Sequence, residues 1–275
     1  MNKITIENYS RLKISLFLYP LLLLSFLVGF ILFNKGFSIA GYTGIQKEYF
    51  IEINSFLSRY PNLMHELTQF GDALILFSTI SIFIVYAPKT FEVLLIASLI
   101  LLVGSFLLKN LFAIPRPAAI YLNSDFTIIG RVLKGRNSFP SGHSMTIFMT
   151  ITILMFAFTP QKKVFKILWY VLMICLGGFI AISRIGVGAH YPFDVLTGCI
   201  LGYLIALIAI FINRKYNLWG WLKNKKYYPF QIVIYASLII ALIFKILNDN
   251  LIVFYVSILG LIITLYKTTE LYVKR

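Results

Sequence analysis

Acidic residues and potential metal ligands are what this sequence has least of. Ten Asp and Glu stand against twenty-five Lys and Arg in 275 residues, with two cysteines and three histidines. Cys175 and Cys199 each lie inside an apolar run, so they support neither a disulfide framework nor a thiolate metal site and read as packing residues. Between residues 142 and 213 the only acid is Asp194, which leaves too few oxygen ligands for a metal cage; no metal and no cofactor is expected. Charged residues make up only 13% of the chain. The net charge of +15 is broken into short clusters between apolar runs and never forms one basic face, which argues against a nucleic-acid partner. Fixed-period repeats, low-complexity tracts and a soluble second domain are also missing, so residues 1–275 read as one membrane domain.

What is abundant is hydrophobic sequence, 59% of the chain, with 16% aromatic. A helix needs about 20 residues to cross a hydrocarbon core of about 30 Å. Eight runs qualify, at roughly 14–34, 70–87, 91–111, 142–159, 165–184, 192–213, 229–247 and 250–268. They are continuous rather than alternating, and a lipid-embedded backbone must satisfy its own hydrogen bonds, so the fold class is an all-α polytopic membrane bundle. The first run follows Lys3, Arg11 and Lys13, and Ser38-Ile39-Ala40 faintly resembles a signal-peptidase site; the length of the run fits an uncleaved anchor better. With the amino terminus inside, fifteen Lys and Arg fall on the inner side and ten on the outer, three of the ten being the motif residues below. That bias puts both termini in the cytoplasm and the motifs on the outer, periplasmic face. Between the first two runs, Ile45, Tyr49, Phe50, Ile53, Phe56, Leu57 and Tyr60 recur at helical spacing. This is an interfacial amphipathic helix, either a solvated connector with one packed face or part of a lipid entrance.

Charged and polar groups gather at three helix mouths on that outer side. Ionisable residues at membrane depth are costly and mark functional sites. Lys109 closes the third run, and Pro115-Arg116-Pro117 stiffens the backbone on both sides of a guanidinium that can grip phosphate oxygens in a bidentate manner. At Pro140-Ser141-Gly142-His143, Ser141 is suited to N-cap the fourth helix, Gly142 lets an anion approach the backbone, and free amides meet the positive end of the helix dipole. In Ser183-Arg184-x5-His190-x3-Asp194, His190 and Asp194 share one helical face, where the carboxylate can fix the ring tautomer and leave the other nitrogen as nucleophile or base. Singly, each pattern occurs as a snorkelling lysine, an ordinary cap or a structural hydrogen bond. Three together at one face are specific.

Those stretches, Lys-x6-Arg-Pro, Pro-Ser-Gly-His and Ser-Arg-x5-His-x3-Asp within residues 109–194, closely resemble the three signatures of the type 2 phosphatidic acid phosphatase superfamily, with every signature residue matched. The resemblance implies a six-helix phosphatase core over roughly 14–213; the pair at 229–268 lies outside it. It implies that His190 attacks phosphorus and becomes a phosphohistidine, that Asp194 orients it, and that His143 protonates the leaving oxygen. Lys109, Arg116, Ser141, Gly142 and Arg184 would hold the phosphate oxygens. The implied activity is metal-independent dephosphorylation of a lipid phosphate or diphosphate, undecaprenyl diphosphate or phosphatidylglycerophosphate first, phosphatidic acid and lipid A phosphates after. A lipid-to-lipid phosphotransferase and a non-catalytic lipid-phosphate transporter are the alternatives; a soluble haloperoxidase of the same superfamily is disfavoured by the eight runs. Arg136, five residues before Ser141, is either an ordinary exposed charge or a contact for a second phosphate.

Overall fold

An apolar segment with no water beside it bonds its amides within itself, and the long runs of Leu, Ile and Phe do so as helices. The computed structural model describes residues 1–122 and 124–274, Lys223 by its backbone alone, and contains no strand among them. The helices are α1 (Asn2–Ser10), α2 (Leu18–Phe33), α3 (Ile39–Gly44), α4 (Lys47–Leu57), α5 (Pro61–Gln69), α6 (Ala73–Ile80), α7 (Phe83–Tyr86), α8 (Pro88–Phe112), α9 (Pro117–Ile120), α10 (Gly142–Ala157), α11 (Lys163–Gly186), α12 (Pro192–Lys215), α13 (Tyr228–Asn248) and α14 (Ile252–Val273). Six helical stretches are long and apolar enough to cross a bilayer: Ile14–Phe33, Pro88–Ile120, Lys163–Gly186, Pro192–Lys215, Lys225–Asn248 and Ile252–Val273. The chain is an integral membrane protein with an all-helical fold.

Two of the eight expected runs take another form. The stretch at 70–87 is the broken pair α6–α7, with a turn at Ser81–Ile82. Ser81 Oγ donates to Ser78 O at 2.8 Å and pairs with Thr264 Oγ1 at 2.9 Å, so a hydroxyl competes with the helical ladder where the break occurs. The run at 142–159 is the 16-residue α10, about 24 Å long and so shorter than the hydrocarbon core. It is the central helix, apolar all round, with most of its side chains buried.

Helix α12 lies directly against α10 because two glycines remove the side chains that would hold the backbones apart. A Cβ at Gly198 would stand 2.7 Å from Ser141 O, and one at Gly202 would stand 2.4 Å from Met145 O. The two glycines, four residues apart on one face of α12, therefore form a close-packing seam that brings the first turns of α10 and α12 together. The last turn of α8 reaches the same end, where Lys109 Nζ lies 3.4 Å from the Cβ position of Gly142. At the opposite end Asn8 Nδ2 donates to Ala157 O, an orphan carbonyl of α10, at 3.0 Å and to Thr159 O just beyond it at 3.1 Å, and Lys225 Nζ donates to Lys274 O at 2.6 Å. Both termini thus sit away from the three motifs.

Within the 45–60 segment the expected amphipathic helix is α4, packed through Phe50, Asn54 and Leu57 and exposed at Glu48, Tyr49 and Phe56. Helices α3 and α4 cover the motif end of the bundle, with Phe50 and Asn54 fully buried. Asn54 Nδ2 donates to Ile185 O at 2.9 Å, Thr127 O at 3.0 Å and Gly186 O at 3.1 Å, while Asn54 Oδ1 accepts the Thr127 amide at 2.8 Å. One side chain therefore ties α4, the α9–α10 loop and the end of α11.

Candidate active site

Helix α11 ends at Gly186, and Gly188, at φ +75, turns the chain so that His190 enters the interior before α12 begins at Pro192. The His190 ring is 1% exposed and Asp194, one helical turn on, is fully buried. The carboxylate is held by three donors: Tyr42 OH at 2.7 Å to Oδ1, Ser138 Oγ at 2.5 Å and the Tyr191 amide at 3.0 Å to Oδ2. His190 Nδ1 lies 3.4 Å from the same Oδ2 and 3.4 Å from Ser138 Oγ. On the other side of the ring, Arg116 Nη1 lies 3.2 Å from Nε2. A guanidinium has donors only, so Nε2 must present its lone pair and Nδ1 must carry the proton, directed at the Asp194–Ser138 side. The ring is thereby set with its lone-pair nitrogen, Nε2, facing Arg116.

Arg116 is itself fixed, with Nε donating to Asn137 Oδ1 at 2.8 Å and Nη1 to Ala189 O at 3.1 Å. Arg184 is buried, and its Nη1 donates to Thr68 Oγ1 of α5; its Nε–H has no partner among the described residues. Lys109 completes the group from the last turn of α8. None of these three cations forms an ion pair among the described residues. Burial first, then Arg116, Arg184, Lys109 and His143, hold His190 well below the usual histidine range, so the ring is neutral at pH 7. Burial, with Asp194 beside it, pushes the Tyr42 phenol up, keeping it a proton donor to the carboxylate.

Ser141 N-caps α10, its Oγ accepting the Ser144 amide at 3.3 Å, and its own amide donates to Asp194 O at 3.0 Å. The amides of Gly142 and His143 follow in the first turn, where a helix has no intrahelical acceptor for them. The His143 ring lies against the α5–α6 turn, where a Cβ on Gly71 would stand 2.5 Å from His143 Cβ and 2.7 Å from its Cδ2. All eight motif residues therefore come to one end of the bundle. Arg136 is exposed and donates to Ala113 O at 3.5 Å, while the third histidine, His65, packs against Gly130. Among the described residues no three His, Cys, Asp or Glu side chains converge as metal ligands.

Tyr42, Thr68, Gly71, Asn137 and Ser138 join the site without having stood out in the sequence. Ser138 sits three residues before Ser141 in the motif loop, which was the one available signal; Tyr42 lies 152 positions from the carboxylate it binds.

The sequence model of the PAP2 superfamily matches residues 91–218, which contain every motif residue. The chain is also 44% identical over 79 residues to the bacitracin transport permease protein BcrC of Bacillus licheniformis, covering 29% of this chain and 35% of that protein. It is 35% identical over 91 residues to a PA-phosphatase related-family protein of Dictyostelium discoideum, covering 30% of this chain and 33% of that one. The chain thus spans about a third of the length of these curated relatives. The crystal structure of Aquifex aeolicus LpxE aligns over 62% of this chain and 96% of that one, at 27% identity and a TM-score of 0.48. Helices α13 and α14 fall outside the matched PAP2 segment.

Proposed function

We propose that this protein is a metal-independent phosphatase of a membrane lipid phosphate or diphosphate, working through a phosphohistidine at His190. The observation that carries the reading is a neutral imidazole whose Nε2 lone pair faces Arg116 while its Nδ1 side is backed by Asp194 and Ser138. In the first step Nε2 bonds to phosphorus, the phosphorus bond to the lipid oxygen breaks, and His143 gives its proton to that oxygen. Asp194 and Ser138 steady the positive charge that the phosphorylated ring acquires. In the second step water attacks phosphorus, the P–N bond returns its electrons to the ring, and His143 takes the proton of the water. Lys109, Arg116, Arg184 and the Gly142 and His143 amides would hold the phosphoryl oxygens, because charge spread over those oxygens is what phosphoryl transfer must stabilise. Ser141 would serve as the cap that fixes those amides, with its own amide committed to Asp194.

The lipid chain would stay in the bilayer while the headgroup enters the cationic mouth. Undecaprenyl diphosphate and phosphatidylglycerophosphate are the substrates ranked first by the family resemblance, ahead of phosphatidic acid and lipid A phosphates. The positive-inside distribution of Lys and Arg supports a bacterial inner membrane placement with the site on the periplasmic face. The name of the Bacillus relative, a transport permease, favours a second reading as a non-catalytic carrier of a lipid phosphate. A carrier needs the cations but not a histidine with an oriented lone pair.

The test is phosphate release from a panel of detergent-solubilised lipid phosphates and diphosphates, in excess chelator, with wild type beside His190→Ala. Turnover by wild type, its loss in the folded variant, and an acid-labile, base-stable phosphoryl adduct in rapidly quenched wild type are expected. Undiminished turnover in the variant would refute the reading, and so would activity lost to chelator and restored by a divalent ion. A phosphorylated lipid acceptor in place of free phosphate would identify a phosphotransferase.

A further inference from the structure

The α13–α14 pair is not explained by the PAP2 match, yet it is anchored to the part of the bundle that touches two site residues. The α5–α6 corner supplies Thr68 to Arg184 and places Gly71 against the His143 ring. The next residue, Asp72, caps α6, with Oδ1 accepting the Leu74 amide at 2.9 Å, and binds α13 through Oδ2, which accepts from Lys245 Nζ at 3.0 Å. On the other side of the corner, the Glu66 carboxylate accepts the first amides of α14, Ile252 N at 2.6 Å and Val253 N at 3.1 Å. Below these contacts α14 packs directly on α6: Ser257 Oγ meets Thr79 Oγ1 at 3.0 Å, and a Cβ on Gly260 would stand 3.0 Å from Ser78 O and Thr79 O.

We infer that Asp72 and Lys245 are positioning residues for His143, and that the α13–α14 pair serves catalysis by bracing the corner against which that ring rests. The inference depends on the phosphatase reading above, in which His143 is the proton donor. The physical route is short. With no side chain at Gly71, the backbone of the corner is in contact with the imidazole, so any movement of the corner moves the ring directly. The ion pair is one-third exposed at each partner, 34% for Lys245 and 32% for Asp72, and contributes little to global stability. What it fixes is position. A proton donor displaced by a fraction of an ångström loses much of a contribution that reaches about 10²–10⁴-fold when the donor is well placed.

The experiment compares two leaving groups. Dioleoylphosphatidic acid expels an alkoxide that needs a proton, whereas p-nitrophenyl phosphate expels a stable anion that does not. With the full-length protein in detergent, Asp72→Ala and Lys245→Gln are expected to lower kcat on phosphatidic acid by about tenfold or more. On p-nitrophenyl phosphate they are expected to change it by less than about threefold, His143→Gln showing the same split more strongly. Lys245→Arg, which keeps the pair, should restore the wild-type ratio. Should Asp72→Ala fail to fold for want of its cap, Lys245→Gln and the Lys245→Arg rescue still decide the matter. Parallel loss on both substrates, or no loss on either, overturns the brace while leaving the phosphatase reading intact. Wild type inactive on both substrates and on the lipid panel overturns that reading and the brace with it.

Discussion

Each end of the bundle buries one acid, and the two acids are satisfied in opposite ways. Glu92, 1% exposed near the start of α8, accepts from Lys89 Nζ at 2.7 Å and from Asn213 Nδ2 at 3.2 Å, so its charge is neutralised by its own helix and the amide ties α8 to α12. Asp194, fully buried at the other end, accepts from three neutral groups, and the basic side chain beside it is the His190 ring, neutral and 3.4 Å away. The cations around it, Lys109, Arg116 and Arg184, pair with no carboxylate among the described residues. Burying charge without its counter-charge is expensive, and a fold that can close the account locally, as it does at Glu92, does so unless the imbalance has a use. On the proposed phosphatase reading, the use at the Asp194 end is an anionic group that arrives with the substrate. The aligned donors on Asp194 make it a device for orienting a ring, while Glu92 makes a joint between helices.

Exchanging the carboxylate for an amide is the sharpest way to break this contrast. Asp194→Asn keeps the shape but gives the ring a neutral partner and turns an NH₂ group toward neighbours that are all donors, Tyr42 OH, Ser138 OH and the Tyr191 amide. On the phosphohistidine reading, phosphate release is expected to fall by about 10²–10⁴-fold, since the attacking ring would lose its orientation and its charge compensation. Vanadate, which mimics the pentavalent transition state and rests on the cations, should still bind within a few-fold of wild type. Equal loss of vanadate affinity would mean that Asp194 holds the site together rather than the ring. At the other end, Glu92→Leu leaves Lys89 and Asn213 facing an apolar side chain in a buried joint, at a cost of about 3–5 kcal/mol of stability. The folded fraction should turn over as wild type does. Thermal unfolding in detergent read beside specific activity separates the two, and a Glu92 variant that melts normally but has lost turnover would erase the distinction.

How much of this was legible beforehand follows the range over which each interaction acts. His190 with Asp194, Ser141 as a cap and Pro192 in a first helical turn are relations within four residues, and sequence spacing states them directly. The close seam of α12 on α10 was visible in Gly198 and Gly202, since only small residues let backbones meet. The break between α6 and α7 was hidden because hydropathy counts Ser81 as a mild interruption, whereas its hydroxyl bonds to the backbone oxygen of Ser78 and to Thr264, 183 residues away. Tyr42 and Thr68 were illegible for a similar reason: each meets its partner across more than a hundred residues, and nothing local marks a tyrosine or threonine as a donor or acceptor to a distant charge. The amphipathic 45–60 segment was read by its apolar face, but Asn54, a polar residue on that face, is what binds it to α11.

The smallest effect is the one that titrates. His190 is held well below the usual histidine value of about 6.5 by burial first and by the surrounding cations second, whereas the joint at Glu92 is closed by a neighbouring ammonium and involves no imidazole. On the phosphohistidine reading the neutral ring is the reactive form, so kcat/KM is lost as pH falls through the folded value, and the acid limb of the profile is expected below pH of about 6.5. Removing one cation weakens the depression, so Lys109→Met should move that limb toward higher pH, as well as lowering kcat/KM at every pH through weaker phosphate binding. The second ionisation of the substrate is the same for both enzymes and cancels in the comparison. Lys89→Met, beside the other acid, should leave the limb where it is. A limb that moves with Lys89 and not with Lys109 would mean that the two ends are electrostatically linked, and that the cations at the motif end do not set the protonation of the ring they surround.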